Sequence, residues 1–76
     1  MIEVFKTNVS DHDSAARILS LIKEDYPEYL ANFDLHDCDH VLRIQTTTER
    51  VHAHAIISLL RIAGFNASIL EDIVVV

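Results

Sequence analysis

Apolar and polar positions alternate with two different periods along this chain, and the changes of period mark out six elements. Ile2-Glu3-Val4-Phe5-Lys6 is rich in β-branched and aromatic residues and reads as a strand. Ala15, Ile18, Leu19 and Ile22 then recur at helical spacing, which predicts a helix to about Glu24, closed by Pro27. Ser10, with Asp13 three residues on, approaches a capping box at its start. Ala31, Phe33 and Leu35 alternate with Asn32 and Asp34, and Leu42 and Ile44 with Arg43 and Gln45, which predicts two further strands.

These two strands test each other. In a hairpin whose paired residue numbers sum to 77, Phe33 faces Ile44 and Leu35 faces Leu42 on one side. On the other side Asp34 faces Arg43, an opposite-charge pair, Asn32 faces Gln45, and His36 lies opposite Val41. A slip of one residue would set apolar against polar throughout. The turn is then Asp37-Cys38-Asp39-His40.

Thr46 and Glu49 have capping-box spacing ahead of a second helix carrying Val51, Ala55, Ile56, Leu59, Leu60 and Ala63, with Gly64 where a C-terminal cap belongs. Phe65 to Glu71 reads as a last strand, in which Ala67 and Ile69 alternate with Ser68 and Leu70. The order strand, helix, strand, strand, helix, strand predicts an α+β ferredoxin-like βαββαβ sandwich. It has a four-stranded antiparallel sheet with both helices on one face, in one domain over residues 1–76.

Several segments carry a family likeness. Val9-Ser10-Asp11-His12-Asp13-Ser14 lies between the first strand and the first helix. It resembles the Met-Thr-Cys-x-x-Cys loop of heavy-metal-associated (copper-chaperone-like) domains, with Asp11 and Ser14 at the two cysteine positions. Asn32-Phe33-Asp34-Leu35, Val41-Leu42-Arg43-Ile44 and Ile62-Ala63-Gly64-Phe65-Asn66-Ala67 resemble that family's middle strands and its closing Ala-Gly-Tyr/Phe-x-Ala. The resemblance covers nearly the whole chain and implies the same fold. Copper(I) needs thiolate or thioether ligands, so copper-chaperone activity does not carry over to this loop.

Composition narrows the partners. Twelve acidic against six basic side chains give a net charge of −6, the wrong sign for nucleic acid or anionic membranes. Cations and basic protein surfaces suit it better. Protonating all five histidines would bring the charge to −1. The single cysteine, Cys38, excludes an intrachain disulfide and every multi-cysteine zinc site. With no basic leader and no apolar run of membrane-spanning length, the expected location is the cytoplasm.

Two kinds of site are suggested. In a ferredoxin-like topology the first loop and the hairpin turn share one end of the sheet. Asp11, His12 and Asp13 would then lie near His36, Cys38 and His40, a donor set suited to a divalent ion such as zinc, nickel or cobalt. Capping chemistry explains Asp11 and Asp13 equally well, and Asp37 and Asp39 are ordinary turn residues. His52 and His54 point about 200° apart on a helix and cannot share an ion. An enzyme is not expected, because the carboxylates flanking Cys38 oppose a thiolate nucleophile.

The second suggestion is a protein partner or a second copy on the open sheet face, through Phe5, Val41, Arg43 and Leu70. This holds if Ile2 and Val4 point to the core, whereas the opposite phase of the first strand sends Phe5 inward. The apolar run Ile73-Val74-Val75-Val76 extends the last strand, pairs with another chain, or folds over the core edge.

Overall fold

The computed structural model describes residues 1–47 and 50–70. Its elements run β1 (Ile2–Thr7), α1 (His12–Asp25), β2 (Leu30–Asp34), β3 (Val41–Gln45), α2 (Ala53–Ile62) and β4 (Ala67–Ile69). The strands form one antiparallel sheet in the order β2-β3-β1-β4, the ferredoxin-like arrangement. A single cluster joins Phe5, Leu42 and Ile44 of the sheet to Ile18 and Ile22 of α1 and Ile56 and Leu60 of α2. Both helices therefore bury their apolar stripes against the same sheet face. Each such side chain contributes roughly 1.5–3 kcal/mol by leaving water.

β1 is tied down at both ends. The Met1 amine donates to Thr46 O at 2.6 Å, and Thr46 N donates back to Met1 O at 2.9 Å. At the far end Thr7 N donates to Asp39 O at 3.1 Å and Thr7 Oγ1 to His40 O at 2.6 Å. Antiparallel strands alternate hydrogen-bonded and non-hydrogen-bonded pairs, so the Met1–Thr46 exchange sets the phase of the whole strand. Phe5 points into the core, fully buried, and Val4 points to the open face. The expectation that Phe5 belongs to a partner surface is thereby corrected.

The hairpin register differs from the expected one by two residues. Leu30 faces Gln45, Asn32 faces Arg43, Phe33 faces Leu42 and Asp34 faces Val41, so paired numbers sum to 75 rather than 77. A shift of two keeps every side chain on its expected face. It nevertheless replaces the Asp34–Arg43 pair: Arg43 Nη1 donates to Asn32 Oδ1 at 3.3 Å instead. The cause is the loop. Asp34 Oδ1 accepts from His36 N at 3.2 Å and Asp37 Oδ1 from Asp39 N at 2.9 Å, two successive Asx turns that hold residues 35–40 out of the ladder.

The caps also differ in detail. Asp11, not Ser10, caps α1, its carboxylate accepting from Ser14 N at 2.9 Å. α2 starts at Ala53 with His52 as its N-cap, and the backbone N–H and C=O of Thr46 exchange bonds with Met1. Glu49 of the expected capping box lies outside the described residues, as do Glu71 and the 73–76 run.

Gly64 closes α2 as expected. Its φ is +98°, its N–H donates to Arg61 O at 3.0 Å, and Phe65 N donates to Leu60 O at 2.8 Å. These two bonds make a Schellman motif. A Cβ at Gly64 would meet nothing within 4 Å, so its cost is backbone strain alone. Gly64→Ala is expected to lower unfolding free energy by about 1–2 kcal/mol, and Leu42→Ala by about 2–5 kcal/mol, both read from urea denaturation. A neutral Gly64→Ala would contradict the left-handed cap.

Candidate functional site

Three regions gather the chemistry. The first is the end of the sheet where the β1–α1 loop meets the hairpin turn, brought together by Thr7. Thr7 is 7% exposed, and its hydroxyl also accepts from Val9 N at 3.2 Å. Sequence reasoning passed over this residue. A polar side chain placed among apolar ones at a strand end was the available signal.

The expected metal set separates into parts at this end. Asp11 is occupied as the helix cap. The backbone hydrogen bond from Ser14, then the Ser14 hydroxyl, hold its carboxyl below the ordinary aspartate value. His12 and His36 are exposed and line one groove of about 650 Å³ against α1 and β2. Asp37, Cys38 and Asp39 place one ligand atom each within 4.8 Å of one another, and no other such group occurs among the described residues. Asp39 Oδ1 lies 3.6 Å from Lys6 Nζ. His40 adopts φ +44°, and its buried Nδ1 has no hydrogen-bond partner. The shared end is as expected, but the two loops do not form one ligand cluster among the described residues.

The opposite end carries a groove of about 730 Å³ lined by Met1, Glu3, Tyr26, Arg50, His52 and His54, among others. Tyr26 stacks on Tyr29 with ring centroids 4.7 Å apart, and Tyr29 Oη accepts from His52 N at 3.0 Å. This aromatic brace joins the end of α1 to the start of α2. Tyr26 and Tyr29 were not singled out from the sequence, because tyrosines beside a Pro-terminated helix carry no distinctive spacing.

The third region is the sheet face away from the helices. Ile2, Gln45 and Leu30 form one cross-strand row. Ile2 is 58% and Leu30 66% exposed, an unusual pair of large apolar side chains flanking a glutamine. Val4, Arg43 and Asn32 form the next row. Leu70 N donates to Val4 O at 2.9 Å, which places the half-buried Leu70 beside Val4. Arg43 and Leu70 are thus on the expected surface. Val41 is not presented by it: opposite Asp34 on β2, it is only 5% exposed.

No family, curated protein or solved structure matches this chain in comparisons of sequence and fold. No described helix is long and apolar enough to cross a membrane.

The lowered carboxyl of Asp11 has a pH consequence. A carboxylate held below its unfolded value stabilises the fold above that value and loses the effect as pH falls through the folded one. Wild type is therefore expected to melt above Asp11→Ala near neutral pH, with the gap closing as pH drops below about 4. A gap independent of pH would contradict the cap as the source of the stabilisation.

Proposed function

We propose that this chain is a non-catalytic binding domain with a heavy-metal-associated-like fold and a degenerate metal loop, and that it works by docking another protein chain on its open sheet face. The Ile2–Gln45–Leu30 row carries this reading. Two exposed aliphatic residues on either side of Gln45, with Arg43 and Asn32 in the next row, give apolar surface beside polar groups that can satisfy a partner's edge. The net charge of −6 favours a partner with a basic rim. The non-catalytic part of the reading is supported by the surroundings of Cys38. Its sulfur groups with two carboxylates, and His40 Nδ1 accepts nothing from it.

Docking is tested by capture with the intact chain against an Ile2→Asp/Leu30→Asp variant of unchanged circular dichroism. The expected result is a stoichiometric partner, or the chain itself, retained by wild type and lost with the variant. Identical capture by both would overturn the reading.

A second reading is favoured by the Asp37, Cys38 and Asp39 group, whose donors suit a borderline divalent ion. Binding there deprotonates the thiol, so it releases a proton. Cobalt(II) titration is expected to give a thiolate-to-cobalt charge-transfer band, abolished in Cys38→Ser and weakened in Asp37→Asn. Cobalt binding without that band would place the ion elsewhere.

A further inference from the structure

β2 is a free edge of the sheet: among the described residues it pairs with β3 alone. The phase of β1 determines what that edge offers. Met1 and Thr46 exchange hydrogen bonds, so Thr46, Ile44 and Leu42 turn their backbone groups toward β1. Gln45, Arg43 and Val41 then turn toward β2 and pair with Leu30, Asn32 and Asp34. Ala31 and Phe33 are left with N–H and C=O directed away from the sheet.

The space beside this edge is concave. The groove of about 650 Å³ is lined from both faces of β2, by Phe33 and Leu35 on the helix side and Asn32 and Asp34 on the other. A second hollow of about 270 Å³ continues it past Ala31 and Leu30 and shares Leu19 with the first. Ala15 and Ala16, a pair of small residues on α1, leave the room.

We infer that this edge pairs with β2 of a second copy of the chain about a two-fold axis, joining two four-stranded sheets into one of eight. The inference goes beyond the docking reading above: the surface is the β2 edge rather than the sheet face, and the partner is a second copy of the same net charge, so the match has to be local. A two-fold through Asn32 sets Ala31 against Phe33 of the second copy, and Phe33 against its Ala31. All outward backbone groups are then paired, with side chains of matching apolar character directed into the grooves. Charge supplies one complementary pair. Lys23 lines the Leu30 end of the groove, and Asp34 lies at the other end together with Arg43, His12 and His36, so antiparallel copies bring each Lys23 to the end of the other that carries Asp34.

Sedimentation equilibrium from micromolar to millimolar chain is the test. The expected result is a mass rising to twice the monomer's. Ala31→Pro removes an outward N–H that β3 does not use, so the fold is retained while dimerisation weakens about tenfold or more. Asn32→Cys in a Cys38→Ser background keeps the inference open to refutation should the proline variant unfold. The facing Cα atoms of such a pair lie about 4.5 Å apart, within disulfide range, so oxidation is expected to give a covalent dimer. A monomer at millimolar concentration, dimerisation unchanged by Ala31→Pro, or no disulfide at position 32 would each overturn the inference. A monomer that still captures a different protein through Ile2 and Leu30 would overturn this inference alone. Loss of that selective capture is what overturns the docking reading.

Discussion

The structure depends on how β1 is clamped between β3 and β4. At one end Met1 and Thr46 exchange backbone hydrogen bonds, and at the other Thr7 holds the carbonyls of Asp39 and His40. Because side chains alternate with period two, those contacts admit a single phase for the sheet. They send Phe5 into the core and leave Val4 on the open face. They also decide, through β3, that Ala31 and Phe33 turn their backbone groups outward. The core and the candidate docking edge thus follow from the same constraint. In an antiparallel sheet the hydrogen-bond phase of one strand passes to the next without freedom to adjust.

The two ends of the sheet are built differently around that clamp. At the Thr7 end, carboxylates serve the backbone: Asp11 caps α1, Asp34 and Asp37 hold the turn, and Asp39 pairs with Lys6. Most of the acidic residues there thus have a structural role before any ligand is considered. At the Met1 end the exposed side chains are large and apolar, Ile2 and Leu30, and no helix shields them. An isolated exposed aliphatic is ordinary, but two flanking one glutamine on a sheet face concentrate apolar surface where another chain can reach it.

Much of the fold was legible because periodicity reports burial. The core positions of both helices, the face assignment of the hairpin and the glycine cap at Gly64 follow from side-chain spacing and one conformational requirement, although Val51, expected on the second helix, is buried just ahead of it. What was not legible depended on backbone hydrogen bonds. Residue type does not distinguish a register sum of 75 from 77, since both keep Phe33 opposite a core aliphatic; the Asx turns at Asp34 and Asp37 decide between them. The phase of β1 was ambiguous because Ile2, Val4 and Phe5 are all apolar, and Phe5 was placed on the wrong face for the partner surface. Ser10, Asp11 and Asp13 each have the chemistry of a cap, and only geometry selects Asp11. The expected six-residue metal set is not gathered into one cluster among the described residues: Asp11 is committed to the α1 cap, and Cys38 groups instead with Asp37 and Asp39.

Amide hydrogen exchange along β2, followed by NMR as a function of chain concentration, tests the account most directly. The clamp on β1 predicts that the amides of Asn32 and Asp34 are protected at every concentration, because β3 satisfies them. It predicts that Ala31 and Phe33 exchange fast in dilute solution and become protected as the chain is concentrated. Protection of Ala31 and Phe33 in dilute solution would contradict the phase of the sheet. Fast exchange of both at all concentrations would contradict the pairing of edges.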